Sequence, residues 1–245
     1  DSFNKNKSKK NRVLPTQTGK RRNLDAAAME WRDALFLTQE EALREWDQRV
    51  RQEELGIFNE SSEAWTPMRT GLDNVHAESR RMEGSRFVLR RFTTFIDARP
   101  EAVYRAAAES LGTSSDLRFG DRSILDTQAV ARFDDSHLVT WQLTKLLRGM
   151  DDRLFVALGF TDVANLLIVT RDATEAKGLV KTMCSKTELL HKKSYRLGKG
   201  IHFSMRFLDA GNGQCRVDFL SQCDPLGNIP SMVFNSDFVG ISMAK

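Results

Sequence analysis

The residues best placed to do chemistry in this 245-residue chain are apolar, and the chemistry they suit is the sheltering of a hydrophobic molecule. Along residues 201–208 the side chains alternate as in an extended strand. Ile201, Phe203, Met205 and Phe207 fall on one side, His202, Ser204 and Arg206 on the other. Residues 214–221 repeat the pattern, with Val217, Phe219 and Ser221 against Arg216 and Asp218. Further on, Phe234, Phe238 and Ile241 recur at the spacing of an amphipathic helix stripe. Any one of these residues suits an ordinary packed core. Together, several Phe and a Met around one closing helix suit a deformable apolar pocket.

Polar candidates are fewer. Trp141, Gln142 and Arg132 lie on a central hairpin where they could meet the polar end of a ligand. His202 reads as a strand histidine facing solvent or sheet. Cys215 and Cys223, eight positions apart, share a face of a regular strand and read as small buried hydrophobes. The motifs of catalysis are missing: there is no G-x-S-x-G elbow, no H-E-x-x-H, no P-loop and no G-x-G-x-x-G. Asp134-Asp135 and Asp151-Asp152 sit where hairpins open or close, and Gly198-Lys199-Gly200 is too short to cradle a phosphate. None of the four histidines stands at zinc spacing to Cys184, Cys215 or Cys223. The expectation is a protein that is not an enzyme and carries no cofactor and no metal.

Positioning these residues takes a strand-rich body. Residues 72–80 and 85–96 read as strands, and 100–111 as a helix with Pro100 in its first turn and Asp97 as cap. Its inward set is Ala102, Val103, Ala106, Ala107 and Leu111. Residues 125–133 and 138–146 form a hairpin turned at 134–137, and 153–160 and 165–170 form another. A polar stretch over 171–198, with a short helix around 176–185, leads to the last hairpin, 201–208 and 214–221. An Asp-Pro-Leu-Gly turn at 224–227 then introduces an amphipathic segment, 231–244. Seven or eight strands in mostly sequential hairpins make an antiparallel α+β fold: one curved sheet with helices on one side.

Ahead of the body the composition changes. The first 22 residues hold eight basic side chains, Lys5, Lys7, Lys9, Lys10, Arg12, Lys20, Arg21 and Arg22, against Asp1 alone. That tract carries +7 of a net +4, so the remainder is slightly acidic. It cannot bury enough surface to fold by itself. It reads first as a solvated tail and, as the functional alternative, as an extended arm, residues 1–23, for an anionic partner such as an acidic membrane or the face of a larger protein complex. Without interleaved aromatics it argues against nucleic acid. Residues 24–37 and 39–55 read as two helices, the second opened by the capping-box pattern Thr38–Glu41 and ended by Gly56. The expected organisation is thus an arm (1–23), a helical extension (24–61) and the body (62–245).

No apolar run approaches the roughly 20 residues that cross a bilayer. Three cysteines argue against a disulfide framework and for an intracellular, reducing compartment, cytoplasmic or organellar, with peripheral membrane contact. The chain opens at Asp1 rather than methionine, as a processed or shortened chain does.

From residue 62 to 244 the chain resembles a START (StAR-related lipid-transfer) domain. Four stretches carry the likeness: Trp65 to His76, the run FTTFIDARPEAVY at 92–104, ARFDDSHLVTWQLT at 131–144, and residues 214–235 with their Asp-Pro-x-Gly turn. The resemblance implies a helix-grip fold, a bent antiparallel sheet wrapped around the last helix and enclosing a tunnel for one lipid- or sterol-like molecule. It implies ligand contacts from Trp141, Phe203, Met205, Phe207, Phe219, Phe234, Phe238 and Ile241. Two departures stand beside it. The family's Trp-Asp after the first long helix is replaced by 116–120, Asp-Leu-Arg-Phe-Gly, and the closing helix is short. They motivate a second reading, an accessory subunit that keeps the fold as a scaffold and is tied into an assembly by its basic arm.

Overall fold

Helix α1 (residues 43–58) gathers Trp46, Val50, Ile57 and Phe58 on one buried stripe, with Leu43 and Leu55 packed beside them. The computed structural model describes residues 43–70, 72–111, 124–132, 134–145, 151–173, 195–231 and 235. The basic arm, the helix expected over 24–37, the segments 112–120 and 176–185, and the closing segment apart from Ser231 and Asn235 lie outside these residues.

The helix runs through Gly56, where it was expected to stop. A Cβ there would meet nothing within 4 Å, so the glycine costs only its intrinsic penalty, about 1 kcal/mol against alanine. Burying Ile57 and Phe58 is worth roughly 1.5–3 kcal/mol each and outweighs it. The amides of Asn59 and Glu60 then close the end on the carbonyls of Leu55 and Ile57.

Ten strands follow among the described residues, in one sheet: β1 (Thr66–Met68), β2 (Val75–Arg80), β3 (Leu89–Ile96), β4 (Ile124–Arg132), β5 (His137–Thr144), β6 (Asp152–Asp162), β7 (Leu167–Asp172), β8 (Tyr195–Leu197), β9 (Lys199–Gly211) and β10 (Gln214–Asp224). Their order is β1-β2-β3-β10-β9-β7-β6-β5-β4, all antiparallel, with β8 paired parallel to β6. Seven or eight strands were expected; β1 and β8 have three residues each, too few for alternation to show.

The sheet separates two cores. On the outer face α1 packs against Leu89, Val139, Leu158, Phe160, Leu167, Val169 and Leu220. The boundary drawn at residue 62 therefore does not part an extension from a body: 43–58 supply the outer half of the core. Trp65 is roofed by two guanidiniums, Arg91 at 4.3 Å and Arg80 at 5.2 Å from its ring. On the inner face lies α2 (Pro100–Ser110), with Pro100 in its first turn as expected. Arg99, not Asp97, occupies the cap position and makes no side-chain bond there, while Asp97 instead accepts a hydrogen bond from the Gln214 amide at 2.5 Å. Tyr104 is the helix's buried anchor, edge-on to Phe207 at 5.7 Å. Val103, Ala107, Ala108 and Leu111 pack beside it, whereas Ala102 and Ala106 face solvent.

Candidate functional site on the inner face

Register decides which side chains share the inner face. Phe219 of β10 lies opposite Phe92 of β3 and Met205 of β9. One step along, Ser221 pairs with Phe203, which pairs on its other side with Thr170 of β7. The rings close on one another: Phe92 stacks on Phe219 at 5.9 Å, and Phe203 meets Phe219 edge-on at 4.8 Å. At the α2 end this face is sealed, since Phe207, Val217 and Ile168 are buried with Tyr104. At the other end Phe203 is 39% exposed. The inner face thus offers an aromatic floor with one open ring beyond the reach of α2.

Phe203, Met205, Phe207 and Phe219 are therefore brought together as expected. Trp141 is not. Val139 belongs to the outer core, and strand alternation puts Trp141 on that same outer side, so Gln142 is the residue of this pair that faces inward. Arg132 is exposed. Phe234, Phe238 and Ile241, like the eight basic residues of the arm, lie outside the described residues. Phe92 and Arg90 are the members that sequence reasoning missed. Both sit in a readable strand, but only the pairing with β10 aims them inward, Phe92 at Phe219 and Arg90, 1% exposed, beside Ser221.

The Asp-Pro-Leu-Gly turn forms the rim. Asp224 accepts from the Leu226 amide at 2.8 Å, and the chain reverses through positive φ at Leu226 and Gly227. The buried Arg153 guanidinium reaches across from β6, donating to the Pro225 backbone carbonyl at 2.5 Å and to the backbone carbonyl of Asp151, two residues before it, at 2.6 Å. Burial pushes its pKa down, the nearby charge of Arg196 adds to this, and Asp151 works against it. From the opposite side Asn235 bonds both the amide of Val88 and the carbonyl of Arg86, and Gln222 donates to Phe87 at 2.6 Å. The turn is thereby pinned between β6 and the start of β3. Gly198 belongs to the same rim: any Cβ would strike the Phe155 ring at 2.4 Å.

The outer face holds charge instead. Glu54 of α1, 0% exposed, takes a hydrogen bond from His202 at 2.9 Å and an ion pair from Arg171 at 2.7 Å. Of the two settings expected for His202, solvent or sheet, the structure gives neither: it is buried between the sheet and α1 as the partner of Glu54. A second contact joins Arg51 to Asp162 at 2.9 Å, with Asp47 bonded to the same guanidinium. A third caps the helix: Arg206 donates to the Phe58 carbonyl and to Asn59, while it pairs with Asp218 at 3.4 Å. Among the described residues no group of His, Cys, Asp or Glu is arranged to hold a metal. Cys215 and Cys223 are free thiols, and burial pushes Cys223 up to about 12, far from a reactive thiolate. No described helix is long and apolar enough to cross a membrane.

Solved structures share this architecture. Human StAR-related lipid transfer protein 5 superposes with a TM-score of 0.64 at 14% identity, covering 84% of this chain and 93% of that one. The lipid transfer and protein localization domain of human StarD13 gives 0.56 at 15% identity over 80% and 90%. A STAR-related lipid transfer protein from Xanthomonas axonopodis gives 0.53 at 15% identity over 74% and 93%. No family model and no curated protein matches the sequence. The chain has the START-like α+β fold, a large curved antiparallel sheet with few helices.

Proposed function

We propose that this chain is a lipid-binding module that holds one hydrophobic molecule against the inner face of its sheet. The observation that carries the reading is the aromatic floor of Phe92, Phe203 and Phe219, packed ring to ring yet left open at Phe203, on the face that α2 covers only at the other end. The fold supports it, because solved structures of similar architecture are named for lipid transfer. Met205 beside the floor lets the surface adapt to an acyl or sterol body. Each methylene taken from water would contribute about 0.8 kcal/mol. No step of bond-making is part of this reading. The basic tract at 1–23 would add dwell time on an anionic leaflet, at about 1 kcal/mol per lysine or arginine near the surface, in an intracellular, membrane-peripheral role.

Native mass spectrometry of the purified full chain, followed by organic extraction, tests it. The expected result is one copurifying lipid per chain, or stoichiometric uptake of a fluorescent lipid from vesicles. A chain that carries nothing and takes up nothing overturns the reading.

A further inference from the structure

We infer that Thr66 is a phosphoacceptor for a proline-directed protein kinase, presented by the edge strand β1; the inference is independent of what the inner face binds. The chain has five prolines, at 15, 67, 100, 225 and 230, and only Pro67 follows a serine or threonine. Residues 66–69 read Thr-Pro-Met-Arg: an acceptor hydroxyl, a proline next to it and a cation at the third position after it. Each part has a chemical use. Proline carries no N–H, so a kinase cleft with no acceptor at that point takes it and disfavours residues whose N–H would go unpaired. A guanidinium at the third position can reach a carboxylate or phosphate of the enzyme.

The fold displays this stretch. Thr66, Pro67 and Arg69 are exposed and Met68 is half-buried. Among the described strands β1 pairs with β2 alone, so its other edge is open to a chain laid alongside it. Its three residues are already extended, as a substrate in a kinase cleft must be, and the central proline gives no N–H to the pairing. Both ends are fixed. Trp65 is buried under the guanidiniums of Arg80 and Arg91, and buried Thr70 has its hydroxyl 3.1 Å from the carbonyl oxygens of Leu72 and Val75. The strand hydroxyls of Thr93, Ser204 and Ser221, by contrast, are buried.

In the transfer the Thr66 hydroxyl oxygen attacks the γ-phosphorus of magnesium-bound ATP. The bond from that phosphorus to the bridging oxygen breaks, ADP leaves with the electron pair, and the hydroxyl proton passes to a carboxylate of the kinase. The product adds a charge of about −1.5 to −2 at the sheet edge. By register Thr66 stands opposite Ser79, itself opposite Arg90, in the row beside Met68, Ala77, Phe92 and Phe219. The new charge would therefore border the aromatic floor.

The test is incubation of the purified full chain with magnesium ATP and an active cyclin-dependent kinase, the phosphate being located by tandem mass spectrometry. One phosphate at Thr66 is expected. Thr66→Val and Pro67→Ala are each expected to abolish it, and Thr66→Ser to retain it. Arg69→Ala is expected to slow incorporation roughly tenfold, the loss that goes with one charge-assisted hydrogen bond. The changed side chains are exposed, and all four variants are expected to melt as the unaltered chain does. Phosphate that is absent, that appears only at other residues, or that survives Pro67→Ala overturns the inference. So does modification of a synthetic 62–72 peptide but not of the intact chain, since the fold would then withhold a readable motif. Each of these failures leaves the lipid-binding reading standing.

Discussion

Glu54 shows how single residues couple α1 to the sheet. Burial pushes its pKa up, but the hydrogen bond from His202 and the charge of Arg171 more than reverse this and hold it below the ordinary 4.5. His137, on the neighbouring hairpin, goes the other way. Burial lowers it, while the carboxylates of Asp47, 3.8 Å away, and Asp134, 3.0 Å away, raise it above 6.5. A depressed carboxylate contributes stability that is complete above about pH 4.5 and lost as pH falls through the folded value. A raised imidazole contributes stability that is complete below about pH 6.5 and lost as pH rises through its folded value. Between them these groups favour a Tm maximum from about pH 4.5 to 6.5, readable by thermal melts across pH. Glu54→Gln is expected to flatten the acid limb and to cost about 3 kcal/mol near neutrality, because it strands a buried guanidinium. Glu53, 3.2 Å from the same Arg171, keeps the loss from growing further. Gly56→Ala is expected to do the opposite. It replaces an exposed glycine in the last turn of α1, with open space around it, and should add about 0.5–1 kcal/mol in chemical denaturation, with no change in lipid uptake.

At the scale of elements, α1 is half of a core and not an appendage. A chain cut to residues 62–245 would leave Leu89, Val139, Leu158, Phe160 and Leu220 facing water, together with Arg171 and His202 without Glu54. It is expected to be aggregated or molten, with lost near-ultraviolet circular dichroism, whereas a chain beginning at residue 38 should melt cooperatively. A cooperative melt from 62–245 would sink this account of α1. Much of the body was legible beforehand because strand alternation is a local signal. The 201–208 run announces two unlike sides, and the structure finds both. What alternation does not supply is the identity of the two neighbours. His202 and Glu54 lie 148 positions apart, and the outward sense of Trp141 follows from its pairing with Val156 of β6, a relation that no local pattern records. The same limit hid Phe92. The cap at Asp97 failed for a different reason: Gln214, from the start of β10, claims its carboxylate.

For the molecule as a whole, the two faces divide the labour. The outer face spends its polar groups on holding α1 with buried ion pairs, and the inner face keeps an aromatic floor and an open ring. The rim between them is fixed by Arg153 and Asn235, so a ligand would be met by a preformed wall. The likeness to lipid transfer structures near 15% identity fits this division, since a fold that needs only apolar alternation and a few pinned turns constrains few side-chain identities.

The strand order has one more consequence, for how the chain is made. β10 leaves the ribosome last of the described strands, yet it sits between β3 and β9 in the middle of the sheet. Until it arrives, β1–β3 have no covalent neighbour to pair with, and β3 presents an unsatisfied edge bearing Phe92. The longest-range pairing among the described strands must therefore wait for β10, which makes folding slow and leaves the strands already made with adhesive edges until then. Chaperone demand for this protein would fall on that interval rather than on the finished fold.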